Sequence, residues 1–190
     1  MSKVVLICSY GLVDKTVRTE IEYQGLVNYY TEIYNYLKDL KAKNQLLAIV
    51  FCGGYRFYQV SESNSSQFFF NSIGVDLANI PQFLETVSGS TIQNLALGYL
   101  AVIEKYLDPD LLIICDSVRQ VKVQKLSEIL FKDLVDNFEI VSFDRQDIHL
   151  ESSKEGQIQA LKKDLESTEL QLWQQILQTN LLKIKNNSTN

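Results

Sequence analysis

Asp116, Ser117, Arg119 and Lys122 form the densest group of side chains able to do chemistry. They follow an apolar run at 111–115 and open a helical pattern. Backbone N–H groups at a helix start favour anions, and nearby cations add to that. An aspartate in the same place opposes an anion unless it holds a hydroxyl, binds a metal or acts as a base. The plainer reading is a helix capped by Ser117 or Asp116 beside a solvated positive face. A second polar stretch, SGSTIQN at 88–94, brings the hydroxyls of Ser88 and Thr91 and the amide of Asn94 before another helical pattern. A third feature is Gly53-Gly54, which ends the apolar run LLAIVFC abruptly. Two glycines allow a sharp turn and a close backbone approach to a ligand. Cys8, Cys52 and Cys115 each close an apolar run. Cysteine is also a small, commonly buried apolar residue. With no resolving pair and no fourth metal ligand nearby, these thiols read as structural. His149, the single histidine, lies between Asp147 and Glu151 and reads as a surface residue rather than a base.

These groups need a scaffold that brings distant segments together, and the apolar patterning supplies one. Residues 3–8, 46–52, 111–115 and 139–143 are short, Ile- and Val-rich runs of the kind buried on both faces of a parallel sheet. Between them the apolar spacing is helical. Leu26, Tyr29, Tyr30, Ile33, Tyr34, Leu37 and Leu40 form one broad stripe within 20–42. Tyr29, Tyr30, Tyr34 and Tyr36 read as core-rim packing, the alternative being a stacking wall for a planar ligand. A helix over 61–73 meets Gly74, which suits a left-handed cap. A connector at 75–86 carries a short strand near Phe83. Ser90 and Gln93 have the spacing of a capping box. A long helical pattern from 153 to 183 breaks near 166–168. Strands alternating with helices predict a three-layer α/β/α, Rossmann-like domain with a mostly parallel sheet, over residues 1–185, followed by a polar tail at 186–190. In such sheets ligands bind at the carboxyl ends of the strands.

Composition narrows the function classes. A chain of 190 residues with net charge -5 lacks the basic face that nucleic acid requires. Three cysteines without a CxxC pair suggest neither a disulfide framework nor a zinc module. Reduced thiols fit a cytoplasmic protein. The opening Met1-Ser2-Lys3 leads into a run too short for a signal peptide or a membrane span. Walker, GxGxxG, HExxH and GxSxG signatures are absent.

Taken in order over residues 3–143, the motifs resemble the YdcF-like family, with its SanA-like and ElyC-like members (domain of unknown function 218). Family members show a strand ending in Gly-Gly, a Ser-Glu pair, Gly-Val, a glutamate and a Ser-x-x-Thr-x-x-Asn run. Here these look like Gly53-Gly54, Ser61-Glu62, Gly74-Val75, Glu85, and Ser88, Thr91 and Asn94. The family's last motif is a strand and a Thr-Ser pair with histidine and arginine downstream. Cys115-Asp116 stands in place of that pair, Arg119 in place of the histidine and Lys122 in place of the arginine. The glycine-rich turn after the first strand is reduced to Ser9-Tyr10-Gly11. Arginine does not release its proton, so the exchange at 119 removes an acid/base group while Asp116 adds one. Many relatives carry an amino-terminal membrane anchor and are linked to envelope processes. This chain shows no such anchor, and soluble relatives have been regarded as binders of nucleotides or S-adenosylmethionine.

The resemblance and the residues together imply a small-molecule site for an anionic or nucleotide-like ligand, S-adenosylmethionine among the candidates. Gly53 and Gly54 would admit the ligand. Ser88, Thr91, Asn94 and Ser117 would hydrogen-bond to it, and Arg119 and Lys122 would neutralise its charge. Glu85 belongs to the same motif set. Glu62 and Asp116 are the candidates for holding hydroxyls or serving as base. The alternative is a non-catalytic binding or regulatory protein on the same scaffold, or an envelope-linked accessory protein.

Overall fold

The computed structural model describes residues 2–57, 59–107, 109–145 and 150–188. His149 and Asp147 lie outside the described residues, as do Asp108 and the last two residues of the expected tail. In chain order the elements are β1 (Lys3–Cys8), α1 (Glu20–Ala42), β2 (Leu46–Cys52), β3 (Arg56–Phe57), β4 (Val60–Ser61) and α2 (Glu62–Ile73). Then follow β5 (Gln82–Glu85), α3 (Thr91–Ile103), β6 (Asp110–Asp116), α4 (Gln120–Leu130), β7 (Phe138–Phe143), α5 (Leu150–Glu166) and α6 (Thr168–Ser188).

Five strands pair in parallel in the order β5-β2-β1-β6-β7, while β3 and β4 form a small antiparallel hairpin. Every residue from Val4 to Cys8 is fully buried because β1 lies at the centre with helices over both faces. Side chains alternate along a strand, and the apolar runs divide accordingly. Val4, Leu6 and Cys8 join Val50, Cys52, Ile113 and Cys115 beneath α3, α4 and α6. Val5 and Ile7 join Ile49, Phe51, Leu112 and Ile114 against α1 and α2. The result is the expected three-layer α/β/α architecture. The three cysteines share one face at neighbouring strand ends, with Cys8 opposite Cys52, and all are free thiols.

α1 begins at Thr19, whose hydroxyl accepts from the Glu22 N–H while the Glu22 carboxylate accepts from the Thr19 N–H. Its tyrosines are packing residues. Tyr30, Tyr34 and Phe51 meet Phe70 edge-on, and Tyr36 meets Phe143. The Tyr30 hydroxyl accepts from the Tyr10 N–H and from Ser66 Oγ, so α1 also anchors the loop after β1.

Local differences from the sequence reading have physical causes. Gly74 is extended, with φ 178°, rather than left-handed. Glycine is needed there because a Cβ would strike the Tyr34 hydroxyl. At α3, Ser90 Oγ accepts from the Gln93 N–H, but the Gln93 side chain accepts from Gly89 rather than from Ser90, so the box is displaced by one residue. Neither Ser117 nor Asp116 caps α4. Arg119 occupies the cap position without a side-chain bond. The long carboxy-terminal pattern breaks at Ser167, and α6 carries the supposed tail in helix through residue 188.

Candidate functional site

Counted along the chain, the sheet strands lie in the order third, second, first, fourth, fifth. The order reverses between β1 and β6, and the loops leaving these two strands part to opposite faces, which opens a crevice at their carboxyl ends. A cavity of about 430 Å³ occupies that place. Gly54, Glu62, Ser88, Thr91, Asn94, Arg119 and Lys122 line it, brought together from four separate stretches of chain. Tyr10, Tyr55, Gly89 and Ser90 complete the rim, and Gln157 and Ala160 of α5 form a further wall.

Four expected residues lie off this wall. Asp116 is buried beneath it, with Oδ2 2.6 Å from Arg119 Nε and Oδ1 accepting from the Arg119 N–H at 3.1 Å. Its carboxylate holds Arg119 instead of facing a ligand, which corrects the expectation of a base. Ser117 lines a separate, smaller crevice between α4 and α5, with its Oγ buried. Glu85 folds back on its own loop, with Oε1 accepting from Val87 N at 2.6 Å and Ser88 N at 2.8 Å. Gly53 abuts the chain itself, since a Cβ there would lie 3.0 Å from Glu62 Cβ and 3.1 Å from Ser9 Cβ. Gly54 does line the cavity, but its lack of a side chain serves another purpose. A Cβ would collide with the backbone of Val87 and Ser88. The close approach read from the glycine pair is therefore loop against loop.

That approach builds the α3 side of the crevice. Gly54 N–H donates to Ser88 Oγ at 2.9 Å, and Ser88 Oγ bonds Asn94 Oδ1. Ser90 Oγ and Gln93 Nε2 both donate to Glu169, fixing the start of α3 to α6. Opposite, Ser61 caps α2 and places Glu62 at its first position, where the Glu62 N–H donates to Tyr55 O. Glu62 Oε1 accepts from Gly11 N–H at 2.7 Å. Burial pushes the Glu62 carboxyl above its ordinary pKa, opposed by the Gly11 bond and by Arg119, Arg18 and Arg145.

The cations are fixed in place. Burial acts to lower the Arg119 pKa, but Asp116 more than offsets this and holds the guanidinium charged. Arg119 also stacks on Tyr10, with Cζ 4.2 Å from the ring centroid, and Arg145 stacks on the same ring at 4.5 Å. Lys122 Nζ pairs with Asp164 of α5 at 2.9 Å.

Arg145 and the α5 wall escaped the sequence reading, and Tyr10 entered it only within the turn Ser9-Tyr10-Gly11, without a site role. Arg145 follows β7 closely, so the strand-end rule would have found it had it been applied to every strand. Gln157 and Ala160 carry no comparable signal, because a helical pattern does not say which loop it will cover. A larger groove of about 600 Å³ lies between the loop after β1 and α2, lined by Leu12, Val13, Tyr23 and Phe68. Its charged members, Asp14 and Lys15, are exposed, so it lacks the buried converging charges of the crevice.

No family model, curated protein or solved structure matches the chain. Among the described residues, no helix is long and apolar enough to cross a membrane, and no three His, Cys, Asp or Glu side chains cluster closely enough to hold a metal ion.

Proposed function

We propose that the chain binds a small anionic or nucleotide-like molecule, S-adenosylmethionine among the candidates, in the crevice between β1 and β6, on a YdcF-like scaffold. The observation that carries this reading is the convergence of Glu62, Thr91, Asn94, Arg119 and Lys122 on one concave place at the switch point of the sheet. Buried polar groups are expensive to assemble without partners, and pockets with a few converging polar groups are where ligands bind. In a catalytic version Glu62 is the acid/base, since burial raises its pKa and it faces the cavity. A non-catalytic binder is the second reading, favoured by the engagement of Asp116 with Arg119. The three free thiols fit a reducing compartment, and the cytoplasm is the location we propose.

A thermal-shift screen against nucleotides and S-adenosylmethionine tests binding. A ligand at 100 times its Kd stabilises the fold by about 2.7 kcal/mol. The expected result is a saturable rise in Tm that Glu62→Ala abolishes. A flat response across the screen would remove the reading, and turnover of a bound molecule would separate enzyme from binder.

A further inference from the structure

We infer that the group recognised at the β6 side of the crevice is a phosphoryl group, held by Arg119 and Lys122 against the start of α3; this rests on the ligand reading above and narrows it.

Arg119 and Lys122 are each more than nine-tenths buried, yet both line the crevice. Their counter-charges, Asp116 and Asp164, do not line it. The pairs are thus oriented, with the cation toward the cavity and the carboxylate behind. Such a wall presents positive potential although the pairs are neutral overall.

The helix starts point the same way. Helix dipoles favour acids in the first turn and disfavour cations there. α1 and α2 follow the rule, with Glu20, Glu22 and Glu62. α3 and α4 have no first-turn acid, and α4 has Arg119 at its cap, Lys122 in its first turn and no side-chain cap bond. At the α4 start the carboxylate comes from outside the helix, since Asp116 Oδ1 accepts from the Arg119 N–H and Oδ2 matches the Arg119 guanidinium, which leaves Lys122 as the first-turn cation facing the crevice. The hydroxyl-bearing Thr91 is the first residue of α3 and also lines the crevice. Of the first N–H groups of α3, Gln93 donates to Ser90 Oγ and Asn94 to Ser90 O, which leaves those of Thr91 and Ile92 as the donors of this start. A phosphoryl group uses three acceptor oxygens and a double negative charge against this donor set. Glu62, on the α2 side, repels the anion and leaves that end for hydroxyl donors of the same ligand. A sulfonium centre, carrying fixed positive charge, is mismatched beside Arg119 and Lys122.

The test is a titration of the full chain at constant ionic strength with inorganic phosphate, pyrophosphate and AMP, compared with adenosine and S-adenosylmethionine, read by thermal shift and calorimetry. The expected result is binding of AMP at least tenfold tighter than adenosine, with pyrophosphate also stabilising. Lys122→Gln should weaken AMP at least tenfold. Because that change strands Asp164, Lys122→Gln/Asp164→Asn serves as the second variant, and it should fold and show the same loss. Binding of S-adenosylmethionine or adenosine with no response to the three phosphate probes overturns the phosphoryl assignment and leaves the crevice reading standing. AMP affinity unchanged in the double variant also overturns it. No binding by any probe removes both.

Discussion

The Asp116 carboxylate grips Arg119 twice, through the guanidinium Nε at 2.6 Å and through the backbone N–H at 3.1 Å. Both residues are buried at the end of the central sheet. Removing one partner of a buried pair leaves an uncompensated charge, which costs about 3–5 kcal/mol. Asp116→Ala is therefore expected to destabilise the fold by that amount in urea denaturation, and Asp116→Asn by most of it, since Asn keeps the acceptor for the backbone N–H but not the charge. Both variants unfolding within about 1 kcal/mol of the parent would show that the pair is not structural.

Glu62 gives a pH signature. Its folded-state pKa is raised, chiefly by burial. The folded chain then holds this proton more tightly than the unfolded chain does. The group's stabilising contribution is complete below its ordinary value of 4.5 and is lost as pH rises through the folded-state pKa. Glu62→Gln keeps an acceptor for Gly11 and removes the titration. The variant should match the parent at acid pH and exceed it in stability towards neutral pH. Denaturation curves collected across that range check this, and a variant less stable at neutral pH than at acid pH, relative to the parent, would contradict it.

Gly98 of α3 is a packing glycine. A Cβ there would lie 2.5 Å from Cys52 Sγ. Gly98→Ala should destabilise the protein by about 1–3 kcal/mol through overpacking, despite a helix-propensity gain of up to about 1 kcal/mol. In a Cys52→Ala background the sulfur is gone and the new methyl enters its space, so the same change should be neutral or stabilising. A double-mutant cycle showing strict additivity would mean the two side chains do not meet.

The thiols should be inert in the native protein. Burial pushes Cys8 up to about 11 and raises Cys52 and Cys115 as well. Only thiolate reacts readily. Native protein should leave all three unlabelled at neutral pH, and denatured protein should label all three. Fast native labelling of any one would place it at an accessible edge instead.

The sheet was legible because β1, β2 and β6 are buried on both faces, which leaves runs such as VVLIC and LLAIVFC with no polar interruption. The crevice was legible in outline for a topological reason, since parallel strands deliver their following loops to one edge. Side-chain direction was not. Asp116 and Arg119 read as a pair of site residues, but spacing does not say that one turns inward to hold the other. Gly54 and Gly74 read as ligand and cap glycines, whereas a backbone at 87–88 and the Tyr34 hydroxyl, both distant in sequence, dictate them. The α5 wall depends on a tertiary contact between Lys122 and Asp164 that no local pattern encodes.

That wall has a consequence for the order in which the chain is made. Every other lining segment lies between Tyr10 and Lys122, while Gln157 and Ala160 emerge later. Ribosomes add roughly 5–20 residues per second, so a nascent chain with its central strands already complete waits seconds for α5. During that interval Lys122 lacks Asp164, and the cavity is open on one side. Docking of α5 then closes that side and gives Lys122 its carboxylate, so the crevice reaches its final form only when the end of the chain is in place.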